Sequence, residues 1–232
     1  MKKVGGVWLP DSEVHFEDMM LRNAPLMING KATYQYRKLD ESLKHVKNWE
    51  RCIDIGAHVG LWSMWLVKRF KRLEAFEPVP NHANIFGFNL IGFDNYTLHR
   101  VALGDVPGVV SFQIPSETTG NAHVAIEGRH PGTKHIPNPD KVETVAEVPM
   151  DTLDGYEFKD VGYIKIDVEG YEKKVLEGAK NTILSNKPII VVEQKGNESA
   201  YGGKKDEGAE YLKSLGVKPL RVMGGDWIFG WD

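Results

Sequence analysis

The sequence predicts an α/β domain with a mostly parallel sheet, helices on both faces and an antiparallel hairpin at its C-terminal end. Three observations predict it. From Arg51 onward, short apolar strands alternate with helical stretches, the order that builds a parallel sheet. Asp54, Glu77 and Asp105 stand at or just past strand C-terminal ends, which right-handed crossovers gather on one edge of the sheet. Val217–Met223 and Trp227–Gly230 flank Gly224-Gly225, a hairpin-type turn. A chain of 232 residues suits one domain with an elaboration.

Residues 1–47 read as an N-terminal cap on the substrate side, and residues 48–232 as the ligand-binding domain. Within the cap, Val4–Leu9 reads as a strand, and Ser12–Leu21 as a helical turn with Phe16, Met19 and Met20 on one side. Leu39, Leu43 and Val46 have helical spacing, with Asp40 as the candidate N-cap. Tyr34, Tyr36 and Arg37 are read as surface packing, with a cleft wall as the alternative. Strand Cys52–Ile55 then leads to a helix over Val59–Phe70. Strand Leu73–Phe76 ends at Glu77-Pro78, and Pro80 opens a helix through Ile85, Phe88 and Leu90, since proline is tolerated in a first turn. Tyr96–Leu103 is the next strand.

A β insertion at about residues 104–150 breaks the rhythm, with strands at Val109–Ile114, Ala122–Ile126 and Val142–Val148. The Gly- and Pro-rich stretch 128–139 is a loop by composition. His123, His130 and His135 match no usual metal spacing and have no acidic cluster beside them, so no metal site is expected there. After a helical turn at Thr152–Tyr156 come strand Val161–Val168, a helix through Val175, Leu176 and Ala179, strand Pro188–Glu193, a helix near Glu207–Leu215 ending at Gly216, and the closing hairpin.

Bulk composition narrows the function. Hydrophobic residues at 41% and charged residues at 26% are those of a globular protein. A formal charge of −3 supplies no basic face for nucleic acid, which is not expected as a partner. Lys68, Arg69, Lys71 and Arg72 read as a solvated helix C-terminus rather than a nucleic-acid patch. The single cysteine, Cys52, sits in a core strand, so no disulfide forms within the chain, which fits a reducing compartment. No apolar run approaches the roughly 18 residues of a membrane helix, and no signal-peptide core is evident at the N-terminus. A cytoplasmic location without membrane contact is expected, and a homodimer is left open.

The first candidate site is Asp54-Ile-Gly-Ala-His-Val-Gly60. A glycine turn lets a ligand lie on the backbone, and the helix after it offers unpaired N–H groups. The motif is not G-x-G-x-x-G, and no Lys-Ser/Thr follows to make a phosphate loop. Asp54 would repel a pyrophosphate but suits an ammonium or hydroxyls. Glu77, at the next strand end, stands where an acid accepts bonds from ribose hydroxyls. A nucleoside carrying an amino acid meets both demands, and S-adenosylmethionine is that molecule. The second constellation is Lys165, Asp167, Glu169 and Glu193. Lys165 and Asp167 share a strand face by the period of two, and the acids cluster at the ligand edge if the two strands are neighbours. One carboxylate would take the proton of a substrate hydroxyl as the methyl moves, and alignment would supply much of the rate. A charged rim, with Lys165 paired to stay buried, is the structural alternative.

Asp54-Ile-Gly-Ala-His-Val-Gly60, Phe76-Glu77-Pro78 and above all Ile164-Lys-Ile-Asp-Val-Glu-Gly-Tyr-Glu172, followed by Val175-Leu-Glu-Gly-Ala179, resemble the FkbM family of S-adenosylmethionine-dependent methyltransferases. The likeness spans about residues 50 to 195. It implies the class I methyltransferase (Rossmann-like) fold, with a seven-stranded sheet, and O-methylation of a sugar or similar small hydroxyl-bearing metabolite. By position it implies that Asp54, Gly56, Ala57, His58 and Gly60 hold the methionine end of the cofactor. Glu77, with Pro78 beside it, takes the ribose, Ala102 and Leu103 flank adenine, Asp105 lies near its amino group, and Asn121 approaches from above. His58 departs from the Asn found in many members. Two other readings stay open: an NAD-dependent oxidoreductase, since Glu77 suits a nicotinamide ribose equally, and a non-catalytic scaffold subunit.

Overall fold

The computed structural model of the chain describes residues 1–22, 27–125 and 142–232. It opens with a hairpin of β1 (Lys2–Val4) and β2 (Val7–Leu9), not the one strand expected over Val4–Leu9. Gly5 and Gly6 take φ of 53° and 79°, a region open to glycine at no Cβ cost, and reverse the chain. Then come α1 (His15–Arg22), β3 (Met27–Ile28), β4 (Lys31–Ala32) and α2 (Tyr36–Leu43). Gln35 occupies the N-cap of α2, so Asp40 lies within the helix and does not cap it.

The alternating region holds β5 (Arg51–Ile55), α3 (Ser63–Leu66), β6 (Arg72–Phe76), α4 (Pro80–Asn89) and β7 (Tyr96–His99). The helix expected over Val59–Phe70 is regular only at Ser63–Leu66. Gly56, His58 and Gly60 all have positive φ (72°, 49° and 87°), so the chain descends into α3 through successive turns. The strand expected over Tyr96–Leu103 is two strands: β7 ends at His99, and β8 (Ala102–Leu103) joins a different sheet. That sheet contains β9 (Gly108–Pro115), β10 (His123–Val124) and β11 (Val142–Asp151), in the order β10-β9-β11-β8. Ile126, His130, His135 and the loop 128–139 lie outside the described residues.

The rest follows the expected order: β12 (Val161–Ile166), α5 (Glu172–Glu177), α6 (Lys180–Asn186), β13 (Ile189–Glu193), α7 (Glu207–Ser214), β14 (Lys218–Met223) and β15 (Asp226–Gly230). The central seven-stranded sheet runs β14-β15-β13-β12-β5-β6-β7, and β15 alone opposes the other strands. Alternate residues of its strands feed two cores. Cys52, Leu73, Tyr163 and Val191 pack with Leu9, Phe16, Leu39 and Phe86 on one face. Ile53, Ile164, Ile190 and Phe229 pack with Val175, Ile183 and Leu212 on the other. The N-terminal segment is thus part of one core, joined to it by a 2.7 Å hydrogen bond between Ser42 Oγ and Tyr163 Oη. Among the described residues, no helix is long and apolar enough to cross a membrane.

Candidate active site

The C-terminal ends of β5, β6, β12 and β13 meet on one edge of the sheet, and the chemistry gathers there. At the end of β5 the chain crosses close to its neighbour. A Cβ on Gly56 would lie 1.9 Å from the Asp167 carbonyl oxygen, so only glycine fits. The first three N–H groups of the turn are engaged within the protein. Gly56 and Ala57 N–H donate to Phe76 O (3.1 and 3.0 Å), and His58 N–H donates to Glu77 Oε2 (2.8 Å). Glu77, 5% exposed, also accepts from Val79 N–H at 2.9 Å. Each carboxylate oxygen keeps a further lone pair for a ligand.

Two cavities open side by side at this edge. The first, about 550 Å³ including its mouth, is mostly apolar and is walled by Ile55, Phe76, Glu77, Pro78, His82, Ala102, Leu103, Phe112 and Tyr171. The second, about 610 Å³, is polar and is walled by His15, Phe16, Tyr34, Trp62, Asn121, Lys165, Glu169, Glu193 and Lys195. Gly56, His58, Gly120 and Asp167 belong to both and form the seam between them.

The polar cavity concentrates charge. Asp167, Glu169 and Glu193 each bring an oxygen within 4.8 Å of the others, a donor set of the type that binds hard cations. Burial, followed by Asp167 and Glu172, pushes the Glu169 carboxyl up to about 8. Burial, followed by Asp167 and Glu169, drives Glu193 well above the ordinary range. Lys195 pairs with Glu193, and Asn197 Nδ2 donates to Glu169 at 2.7 Å. Burial opposes the Lys165 ammonium, yet Asp54 and Asp167 raise it overall. Its Nζ donates to Gly56 O at 2.9 Å and lies 3.3 Å from Asp54 and 3.8 Å from Asp167. Glu172 accepts from Val168 and Gly170 N–H (3.1 and 3.0 Å) and so holds the turn that carries Glu169.

Of the residues named from the sequence, Gly56, His58, Glu77, Pro78, Ala102, Leu103 and Asp167 line the apolar cavity, while Ala57, Asn121, Lys165, Glu169 and Glu193 join the polar one. Asp54, Gly60 and Asp105 line neither. Asp54 is 0% exposed and lies opposite Lys165 in the β5–β12 register, with Ser63 Oγ donating to it at 2.6 Å. Gly60 faces Leu90 and Phe86, where a Cβ would meet them at 2.8 and 3.0 Å, so it serves helix packing. Asp105 pairs with Lys174 at 2.6 Å. The sequence reading missed His15, Phe16, Trp62, His82 and Lys195, and took Tyr34 for packing. Only Lys195, two residues past Glu193, left a local signal.

Residues 54–218 match the family model described as the Methyltransferase FkbM domain. A crystal structure of an FkbM methyltransferase from Methylobacillus flagellatus superposes with a TM-score of 0.50 at 16% identity, over 96% of this chain and 48% of that one. The chain therefore spans about half of that protein. Ribosomal RNA large subunit methyltransferase E from Methylibium petroleiphilum is 35% identical over 75 residues, 32% of either chain.

Proposed function

Because the chain belongs to the FkbM methyltransferase family, we propose that it uses S-adenosylmethionine to methylate a hydroxyl of a sugar or similar small metabolite. The observation that carries this reading is the seam. An apolar cavity with a ribose-type acid joins a carboxylate-lined cavity through Gly56, His58, Gly120 and Asp167. The residues fit the cofactor: an apolar slot beside Ala102 and Leu103, a buried carboxylate with spare lone pairs at Glu77, and His58 at the seam, whose buried Nδ1 has no hydrogen-bond partner among the described residues.

Bound there, S-adenosylmethionine supplies an electrophilic methyl group. Glu77 would accept hydrogen bonds from the ribose hydroxyls, and Ala102 and Leu103 would flank the adenine. Asp167, at the seam, orients the acceptor hydroxyl and takes its proton. Glu169, Glu193 and Lys195 bind the remaining polar groups of the acceptor. Lys165, anchored on Asp54 and Gly56 O, keeps Asp167 in place. Asp54 acts through Lys165 and not on the cofactor directly.

The cavity's carboxyl groups, paired with Lys165 and Lys195, suit a small hydroxyl-bearing acceptor. Calorimetry with S-adenosylmethionine, S-adenosylhomocysteine and NAD tests the reading. Heat is expected with both adenosyl ligands and none with NAD. NAD binding without either adenosyl ligand would overturn it in favour of an oxidoreductase.

A further inference from the structure

We propose that Glu13 is a positioning residue for the cofactor cavity. Through Thr119 it fixes the His58 imidazole with its proton on Nε2, leaving Nδ1 as a hydrogen-bond acceptor for the ligand. The inference rests on the proposed function only in naming that ligand as the adenosyl cofactor.

One chain of contacts fixes where each proton lies. Glu13 belongs to the N-terminal segment and is 0% exposed. Its Oε1 accepts from Phe16 N–H at 2.9 Å, and its Oε2 accepts from Thr119 N–H at 2.6 Å. The carboxylate is thus an acceptor on both sides, and the Thr119 hydroxyl, 2.5 Å from Oε2, donates to it. A hydroxyl has one proton. With that proton spent on Glu13, Thr119 Oγ1 can only accept from His58 Nε2, 3.1 Å away.

Nε2 therefore carries the ring proton. Burial, then His82 and Lys165, hold the imidazole well below its ordinary value, so the ring is neutral and Nδ1 bears a lone pair. That nitrogen is buried and has no hydrogen-bond partner among the described residues. The ring itself is held by Phe16 and His82, whose centroids lie 5.4 and 4.3 Å from its own. His58 sits at the seam of the two cavities, and its own backbone N–H is bonded to Glu77. A carboxylate and an imidazole lone pair on neighbouring positions suit a ligand rich in donors, such as ribose hydroxyls or an ammonium group.

The test is long-range 1H–15N correlation spectroscopy of the histidine rings with and without S-adenosylhomocysteine, paired with calorimetry, for wild type, Glu13→Gln and Glu13→Ala. Wild type is expected to show the Nε2–H form of His58, with an Nδ1 resonance that moves when the ligand binds. In Glu13→Ala the Thr119 hydroxyl is free to donate to Nε2. The Nδ1–H form should then appear and affinity should fall about tenfold, the effect of one hydrogen bond. Glu13→Gln keeps one acceptor oxygen but sets an amide N–H against the Phe16 or the Thr119 N–H, so it should fall between wild type and Glu13→Ala in both readouts, a graded tautomer shift that a purely structural role would not require. An Nδ1–H form in wild type, an Nδ1 resonance unmoved by bound ligand, or an unchanged tautomer in Glu13→Ala would overturn the inference. If Glu13→Ala does not fold, the wild-type spectra decide alone. No binding by wild type would instead refute the cofactor reading.

Discussion

Glu172 provides a stability test that reaches the active-site turn. It is 2% exposed, and burial pushes its carboxyl up to about 7, against the opposing pull of the Gly170 and Val168 N–H groups. Its folded-state pKa therefore lies above the unfolded value, so the native state holds the proton more tightly. Stability is then full at low pH and declines as pH rises from about 4.5 to 7. Each pKa unit is worth about 1.4 kcal/mol, which makes the decline due to this residue about 2–3 kcal/mol between pH 5 and pH 8. Glu172→Gln keeps an oxygen for the two N–H groups and removes the titration. Urea unfolding of both proteins across this range is expected to show the variant gaining on wild type by that amount. A difference that does not change with pH would refute the account of Glu172 as a buried proton-holding group.

Three further outcomes are expected. Glu77→Ala should weaken S-adenosylhomocysteine binding by about 1–3 kcal/mol, read by calorimetry, because ribose hydroxyls lose a charged acceptor. Asp167→Asn should abolish turnover while cofactor affinity is largely kept; full activity would move the base to Glu169 or Glu193. At the N-terminal contact, Ser42 Oγ already donates to Leu39 O, so the Tyr163 hydroxyl is the donor to Ser42. Tyr163→Phe should therefore cost about 1 kcal/mol, and Ser42→Ala should cost more because it leaves a buried hydroxyl without its acceptor, measured by urea unfolding.

The sheet was legible because its strands are short apolar runs ending in acids or glycine, and β5, β6, β12 and β13 fall where those runs do. The helix after Gly56 was overread. Leu61, Trp62, Met64 and Trp65 are apolar because all four are buried, and they do not mark one face of a long helix. The burial of Asp54 away from both cavities was illegible for a related reason. Strand order decides its partner, and the pairing of Asp54 with Lys165 follows from β5 lying beside β12, which no local pattern states. Glu13 and Thr119 are joined only by tertiary packing across most of the N-terminal half of the chain, so neither carried a signal.

The two cavities differ in what builds them, and this bears on substrate choice. The apolar cavity takes its walls largely from the ends of β5 and β6 and from β8, inside the stretch that matches the family model. The polar cavity takes His15, Phe16 and Tyr34 from residues ahead of that stretch. Phe16 and Tyr34 meet edge to face at 4.8 Å between centroids, and a Cβ on Gly120 would lie 2.5 Å from the Phe16 ring. The N-terminal segment thus adds aromatic walls to the cavity that also holds the carboxylates. On the proposed function, substitutions at His15, Phe16 and Tyr34 should change acceptor choice while leaving S-adenosylhomocysteine affinity, read by calorimetry, as in wild type.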